Sequence, residues 1–253
     1  MLWVFDLDGV VWLAGRPIPG AADAVDRLRR RGARVAFVTN NSGPTVAEYV
    51  QRLAAAGLEV EPGELATSSQ AAASLVDPGS RVAYIGGDGV GEALAARGAR
   101  IVGLGDSPDA VVVGRSLRLD FAELADAARA IRAGARFIAT NTDSTFPTPS
   151  GPEPGAGALV AYLQVGSGCH PEVAGKPEKA MAELVRARYG QPAMVVGDRP
   201  ETDGAFARRV GAPFALVLTG VTHRSDLPVE PTPDVIGDDL AAVVDDRLAQ
   251  GRD

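Results

Sequence analysis

The stretch FDLDGVVW, residues 5–12, decides the fold of this chain. The apolar run at residues 2–5 is too short for a helix and predicts a buried strand, which ends in Asp6, Asp8 and Gly9. Acids spaced i, i+2 at a strand end lie on one side of the chain, and open α/β sheets bind ligands at the carboxyl ends of their strands. Because neighbouring carboxylates repel each other unless a cation lies between them, the stretch predicts a magnesium site beside a nucleophile. A solvated turn after a strand is the simpler alternative.

Length and composition limit the classes of protein to which the chain can belong. With 253 residues, 46% of them hydrophobic, it is expected to be soluble and globular, as one large domain or two modest ones. A net charge of −7 argues against a nucleic-acid partner and an anionic membrane surface, and a small anionic substrate would need local positive charge. The single cysteine, Cys169, excludes an internal disulfide framework and a multi-cysteine zinc site. With no signal-peptide pattern and no run of membrane-spanning length, we expect a cytoplasmic setting.

Apolar runs alternate with helical spacings toward both ends of the chain. We predict further buried strands at 34–38, 193–196, 214–218 and 235–236. Helices are predicted at 21–31, after Pro44, and at 64–75, 178–188 and 240–248. This alternation is typical of a sheet with helices packed on its faces.

The middle of the chain has the pattern of a separate unit. Strand-like runs at 82–85, 101–102, 111–113 and 137–139 alternate there with helical patterns at 92–97, 121–133 and 156–164. Asp88 is predicted to cap a helix after a strand-to-helix turn. We therefore predict an inserted α/β domain at 80–166, between two parts of a larger domain at 1–79 and 167–253.

Polar side chains follow the strands of the larger domain, as the two acids follow the first strand. Thr39 and Asn40 come directly after one strand, Asp198 and Asp203 come after another, and Lys176 precedes a helix. They have structural alternatives, because Thr39, Asn40 and Asp198 can cap helices and a lysine before proline is usually solvated. Their common position at strand ends is much harder to produce by chance.

The motifs FDLDGV, VTNNSG, GKP and VGDRPETD together resemble the haloacid dehalogenase (HAD) superfamily, in its NagD-like, p-nitrophenylphosphatase-like branch. The middle segments VVVGRSL, ARFIATNTD and PGAGALVAYL are similar to the cap domain of that branch. The resemblance covers essentially the whole chain. It implies a doubly wound, mostly parallel, Rossmann-like α/β core with an inserted smaller α/β cap of the C2 type.

The resemblance also implies catalytic roles. Asp6 would be the nucleophile that forms an aspartyl-phosphate, and Asp8 would protonate the leaving alcohol and then activate water. Mg²⁺ would be held by the Asp6 carboxylate, the Asp8 main-chain carbonyl and Asp198. Asp203 would act on Lys176 or on the metal through water.

Further residues are implied to bind the substrate. The Thr39 hydroxyl and the Asn40 main-chain amide would bind phosphoryl oxygens with Asn41 beside them, and Lys176 would offset their charge. Within the cap, Asn141 and Asp143 are candidate substrate contacts, with a turn-forming role as the equal alternative.

The predicted function is Mg²⁺-dependent hydrolysis of small phosphomonoesters through an aspartyl-phosphate. The alternative is a phospho-accepting signalling protein on the same fold, without multiple turnover. The branch also suggests a homodimer through the cap, for which the apolar segment 111–113 is the candidate.

Four other residues carry weaker expectations. Gly204 stands where the branch usually has an aliphatic residue, which predicts a locally loosened helix. Trp12 is predicted to pack under the cap. His170 and His223 are predicted to be exposed loop residues.

Overall fold

A computed structural model describes residues 1–249 of the chain. Its strands are β1 (Leu2–Phe5), β2 (Trp12–Leu13), β3 (Arg16–Pro17), β4 (Arg34–Thr39), β5 (Leu65–Thr67), β6 (Arg81–Ile85), β7 (Arg100–Ile101), β8 (Ala110–Val113), β9 (Arg136–Ala139), β10 (Thr145–Thr148), β11 (Gly151–Pro154), β12 (Glu172–Val173), β13 (Met194–Gly197), β14 (Phe214–Val217) and β15 (Val235–Gly237). Its α-helices are α1 (Ala21–Arg30), α2 (Val46–Ala55), α3 (Ser68–Ser74), α4 (Asp88–Ala96), α5 (Phe121–Arg132), α6 (Ala156–Ser167), α7 (Lys179–Tyr189), α8 (Ala205–Val210) and α9 (Leu240–Ala249).

The larger sheet has the order β15-β14-β13-β1-β4-β5 with every pairing parallel. Its inner strand β1 is buried along its whole length, and alternate residues face opposite layers. Leu2 and Val4 pack with the layer of α3, α7 and α8, whereas Trp3 and Phe5 pack with the layer of α1, α2 and α9. This confirms the doubly wound α/β fold, and it brings the ends of β1, β4 and β13 to one edge.

The predicted helix at 64–75 is wrong in its first part. Leu65–Thr67 is the edge strand β5, which pairs in parallel with β4, and the helix begins only at Ser68. All three residues of β5 are buried. The Thr67 hydroxyl accepts from the Gln70 amide while the Gln70 side chain accepts from the Thr67 amide, a capping box that sets the helix start.

The smaller sheet has the order β12-β9-β8-β6-β7 and is also parallel. Its strand β8 is central and fully buried, so segment 111–113 cannot form the dimer surface for which it was the candidate. We propose to keep the division into 1–79, 80–166 and 167–253, except that the smaller sheet extends past the proposed boundary at 166 to its edge strand β12. We call the unit of the smaller sheet the cap and the unit of the larger sheet the core.

Glycines let the cap and the core approach each other closely. A Cβ on Gly87 would lie 2.5 Å from the Gly43 carbonyl oxygen, and one on Gly89 would overlap the Pro44 carbonyl oxygen. The Gly89 amide donates to the Gly43 carbonyl at 2.9 Å. This contact lies at the start of α4. The helix begins at Asp88, earlier than the predicted 92, and Gly87 is its N-cap. The prediction that Asp88 caps it is wrong.

Two hairpins were absent from the prediction. The short pair β2–β3 follows the loop of Asp6 and Asp8, and the pair β10–β11 extends from the cap toward the core. Prolines at 147, 152 and 154 occupy the second hairpin and weaken its strand signal. Within residues 1–249, no helix is long and apolar enough to cross a membrane.

Candidate active site

Lys176 lies at the centre of the site. Its ammonium Nζ donates to Asp6 Oδ1 at 2.7 Å, to Asp203 Oδ1 at 2.6 Å and to the Val38 carbonyl at 3.0 Å. The Lys176 side chain is only 3% exposed, so three acceptors satisfy all three of its donors. Residues that are 170 positions apart in sequence thus meet at the ends of β1 and β4.

Asn40 holds the loop that carries Lys176. Its side-chain Oδ1 accepts from the Lys176 amide at 2.7 Å, and its Nδ2 donates to the Lys176 carbonyl at 3.0 Å. The same Nδ2 lies 3.1 Å from Asp143 Oδ1 of the cap. Asn40 therefore links the Lys176 loop of the core to Asp143 of the cap, which the sequence did not indicate.

Thr39 and Asn41 line the same cleft. The Thr39 hydroxyl oxygen accepts from the Asn41 amide at 3.1 Å, and the same hydroxyl lies against the Tyr49 hydroxyl. Neither Thr39 nor Asn40 caps α2, because Thr45 is its N-cap and forms a capping box with Glu48.

Asp198 and Asp203 follow β13, and both are buried. Asp198 Oδ2 accepts from the Val221 amide at 2.6 Å, and Asp203 Oδ2 accepts from the Arg199 amide at 3.1 Å. Neither carboxylate caps an α-helix. Within residues 1–249, Asp6, Asp198 and Asp203 each offer an oxygen within 4.8 Å of the others, as a cation site requires.

Glycines make room for these carboxylates. A Cβ on Gly9, whose φ is +83°, would lie 2.5 Å from Asp198 Cγ, and Cβ atoms on Gly220 and Gly197 would overlap Asp198 and Asp203. Residues Pro200–Gly204 form a short π-helix, which agrees with the expected irregularity at Gly204. A Cβ on Gly204 would lie 2.9 Å from Pro231 and 3.0 Å from the Phe214 ring, so close packing is a further reason for glycine at this position.

Charge is unevenly distributed in the site. Burial raises the pKa of Asp6 well above its usual value, with Lys176 opposing and Asp203 adding to the shift. Burial and then Asp203 raise the pKa of Asp198 to about 7. Burial also raises the pKa of Asp8 to about 6, against the opposing N–H of Trp12 and the charge of Lys176. Burial alone would lower the pKa of Lys176, but Asp203 and Asp6 raise it above its usual value. One buried ammonium among these acids is too little positive charge, so the donor set fits a further cation.

The predicted cap residues both reach the cleft. The Asn141 carboxamide donates to the Asn40 carbonyl at 2.6 Å and accepts from the Asp143 amide at 3.1 Å, so it organises the turn. Asp143 faces Asn40, and burial raises the pKa of its carboxyl, with the Asn40 N–H opposing the shift.

The comparisons with known proteins agree with this geometry. A family model for haloacid dehalogenase-like hydrolases matches residues 3–100, and a second model of HAD-hydrolase-like proteins matches residues 173–243. The chain is 33% identical to an acid sugar phosphatase from Staphylococcus aureus, over 89% of each protein.

This chain belongs to the haloacid dehalogenase-like hydrolases.

Solved structures of relatives indicate the branch of the family to which this HAD hydrolase belongs. It is 40% identical to a glycerol phosphate phosphatase from Mycobacterium tuberculosis in complex with magnesium, with a TM-score of 0.89 over 95% of this chain and 76% of that one. It is 33% identical to a p-nitrophenyl phosphatase from Archaeoglobus fulgidus, with a TM-score of 0.90 over 97% and 98%. These relatives confirm the expected branch and enzyme class, a phosphoric monoester hydrolase. The magnesium-containing relative, together with the three clustered acids here, confirms the expected metal cofactor.

Sequence reasoning missed three residues of this HAD hydrolase's cleft, Arg115, Phe146 and Arg199. The Arg115 guanidinium lies 4.3 Å from the centre of the Phe146 ring, and it pairs with Glu153 at 2.7 Å. Arg199 donates to Thr145 at 3.4 Å, which joins the acidic loop of the core to the cap hairpin. The available signal was the position of each arginine, two residues after the end of a strand.

The weaker expectations have mixed outcomes. Trp12 is buried and its indole Nε1 donates to Asp8 Oδ1 at 3.1 Å, a contact that was not foreseen. His170 lies outside the cleft, against Gln164, and His223 is exposed before a 3₁₀ turn, as predicted.

Proposed function

We propose that this HAD hydrolase cleaves small phosphomonoesters with Mg²⁺ and forms an aspartyl-phosphate on Asp6. The observation that supports this most is the Lys176 ammonium between Asp6 and Asp203, with Asp198 in the same cluster. A buried cation that contacts the nucleophile and is held by a second acid suits a site that must accept a phosphate dianion.

The metal would be held by the Asp6 and Asp198 carboxylates and by the Asp8 main-chain carbonyl. Both oxygens of Asp203 already accept hydrogen bonds from Lys176 and Arg199, which favours an indirect role for this acid. When bound, Mg²⁺ would supply positive charge to the nucleophile and to the phosphoryl oxygens.

In the first half-reaction, an Asp6 oxygen forms a bond to phosphorus and the bond from phosphorus to the ester oxygen breaks. The leaving oxygen takes the proton of the Asp8 carboxyl and departs as an alcohol. Burial keeps the pKa of Asp8 near 6, which is high enough for it to serve as an acid and then as a base.

In the second half-reaction, water attacks the phosphorus and gives a proton to the Asp8 carboxylate. The bond between Asp6 and phosphorus breaks, which restores Asp6 and releases inorganic phosphate. Each of the two transfers has a lower barrier than direct hydrolysis.

Three groups would hold the phosphoryl oxygens during both steps. The Thr39 hydroxyl would be one of them, since Thr39 lines the cleft together with Asp6 and Lys176. Main-chain amides of the loop at 40–41 and the Lys176 ammonium complete the set, and preorganised donors of this kind are worth about 3 kcal/mol each in the transition state.

The polar cap side of the cleft supports a hydroxylated leaving group. Asp143, Thr145 and Arg115 line it around Phe146, and Arg199 of the core reaches Thr145 there. Relatives are named for glycerol phosphate and acid sugar substrates. We therefore propose phosphorylated polyols and sugars as the substrate class.

The test is phosphate release from a panel of phosphomonoesters, including glycerol 3-phosphate, sugar phosphates and p-nitrophenyl phosphate, with and without Mg²⁺. Asp6→Asn should remove turnover while circular dichroism shows a folded protein. Undiminished turnover in this variant would overturn the covalent mechanism. Stoichiometric phosphorylation without multiple turnovers by the wild type would favour the signalling alternative.

We also propose a homodimer through the outer face of the cap, in a cytoplasmic setting. Large apolar side chains are exposed there, among them Leu117 at 83%, Phe121 at 74% and Val165 at 86%. The Phe121 and Tyr162 rings meet edge to face at 6.5 Å between centroids, so these two exposed rings form one apolar patch. Light scattering should give twice the chain mass for the wild type and one chain mass for Phe121→Glu. A monomeric wild type at micromolar concentration would remove this proposal.

A further inference from the structure

The indole of Trp12 contacts Asp8, the residue proposed to protonate the leaving group. Its indole Nε1 lies 3.1 Å from Asp8 Oδ1, and the Trp12 side chain is buried, at 7% exposure. The turn between the two residues is closed by main-chain bonds, since the Gly9 amide donates to the Trp12 carbonyl at 2.6 Å and the Trp12 amide donates to the Leu7 carbonyl at 3.2 Å. The indole is therefore held by its own loop, in a fixed relation to the acid.

An indole nitrogen can donate a hydrogen bond but cannot accept one. Asp8 Oδ1 must therefore be the acceptor in this pair, and it cannot direct a proton toward the indole. When the carboxyl is protonated, its hydrogen is left on the other oxygen, Oδ2.

We propose that Trp12 is a positioning residue for catalysis, which fixes the orientation of the Asp8 carboxyl and assigns its transferable proton to Oδ2. This inference rests on the proposed function, because it requires Asp8 to be the acid that protonates the leaving group.

Of the aromatic residues Trp12, Tyr49 and Phe146 near Asp8, Trp12 is the one that donates a hydrogen bond to its carboxylate. Asp8 lines both the main cleft and a second groove, which also contains Trp12, Tyr49 and Arg52. The Tyr49 hydroxyl donates to the Asn41 carbonyl at 2.7 Å, so its hydrogen is already used. Phe146 and Pro147 of the cap hairpin line both spaces and offer no donor to the acid.

In the reaction step, the Asp8 Oδ2–H bond breaks as the ester oxygen leaves phosphorus, and the proton moves to that oxygen. An alkoxide needs this proton, because an alcohol is a very weak acid. A nitrophenolate leaves without it. A loss of proton positioning should therefore slow alkyl phosphates and spare p-nitrophenyl phosphate.

The experiment compares Trp12→Phe with the wild type on glycerol 3-phosphate and on p-nitrophenyl phosphate, with Mg²⁺ present. We expect the first-turnover rate of glycerol release from glycerol 3-phosphate to fall by roughly 10- to 100-fold, as for the loss of a hydrogen bond to a charged group. We expect the first-turnover rate of nitrophenolate release to change by less than about twofold, because first-turnover rates leave out the later hydrolysis step that both esters share. The ratio of these two rates is the activity ratio.

Trp3→Phe is the matched control. Trp3 is buried to 2% in the same apolar layer, where its ring stacks on Phe5 with centroids 6.0 Å apart. Its loss should lower the melting temperature but should leave the ratio of the two activities at the wild-type value.

Trp12→His is the second variant. The imidazole five-membered ring carries a nitrogen at the position of the indole Nε1, so it can keep a donor toward Asp8. It should retain more of the wild-type activity ratio than Trp12→Phe does, and it provides the same test if the phenylalanine variant does not fold.

The outcomes separate the two proposals. A wild type without activity on either ester, or an active Asp6→Asn, overturns the proposed function. An active wild type whose Trp12→Phe variant loses both activities equally, or neither, overturns only the role of Trp12. An activity ratio that falls as far in Trp12→His as in Trp12→Phe also overturns it.

Discussion

The two parallel sheets of this protein present their carboxyl ends to each other, but the two ends have different residues. In the core, Asp6 and Asp198 follow β1 and β13, and Lys176 joins Asp6 to Asp203. In the cap, glycines follow β6 and β8. A Cβ on Gly114, after β8, would overlap the Ser42 hydroxyl of the core.

The difference shows that the same architecture can serve chemistry or contact, depending on the side chains at its edge. Charged groups on a rigid sheet end are costly to bury, and they are kept because each has partners there. Small residues at the other sheet end let the two backbones approach each other closely. We expect the charged edge to be sensitive to charge and the glycine edge to be sensitive to volume.

The largest effect should come from Lys176→Met, which removes the cation of the charged edge but keeps most of the side-chain volume. It leaves Asp6 and Asp203 buried without their partner, for an expected loss of about 3 kcal/mol of unfolding free energy. Turnover should fall by at least roughly 10³-fold. Urea unfolding and phosphate release measure the two effects, and a variant with wild-type activity would contradict the central place of Lys176.

A volume change at the glycine edge should come next. Gly89→Ala places a Cβ against the Pro44 carbonyl, which is backbone and cannot turn away. We expect about 1–3 kcal/mol of destabilisation, in spite of the better helix propensity of alanine. Gly105→Ala is the control, because nothing lies within 4 Å of its added Cβ. Equal melting temperatures for the two variants would show that the sheet ends are not in close contact.

The charged edge should also respond to pH and Mg²⁺ together. Because the folded pKa of Asp198 is raised to about 7, the metal-free protein should lose stability as pH rises from about 4 toward 7. Mg²⁺ needs the ionised carboxylate, so its stabilising effect should grow over the same range. We expect the Mg²⁺-induced rise in melting temperature to be roughly 2–4 °C larger at pH 8 than at pH 5.5.

Asp198→Asn is the control for this experiment. It should reduce the Mg²⁺-induced shift at both pH values. A shift in the wild type that is independent of pH would contradict the assignment of Asp198 to the cation site.

The smallest effect should come from Lys179→Met, three positions from Lys176. Lys179 is exposed at 79% and pairs with Glu183 at 3.3 Å on the surface of α7. Its replacement should change the unfolding free energy by less than about 0.5 kcal/mol and leave turnover unaltered. A large loss of activity would mean that the two lysines had been assigned to the wrong roles.

Much of this site could be predicted because its signals are local. Asp6 and Asp8 follow an unmistakable buried strand, and the strand at 193–196 ends in the same way before Asp198. The edge strand Leu65–Thr67 was missed because three residues carry no usable period, and the β10–β11 hairpin was missed because its prolines weaken the pattern.

By itself, the sequence determined the doubly wound fold, the enzyme family and the set of acids, because strand periodicity and short motifs lie within a few neighbouring residues. Only the tertiary structure decided that Asn40 joins Lys176 to Asp143, that Trp12 donates to Asp8 and that Arg199 reaches Thr145. Most of these contacts join residues far apart in the chain, and a hydrogen bond depends on side-chain direction within a few tenths of an ångström. No spacing in a sequence carries that information, which is set only when the loops fold and the two sheets pack.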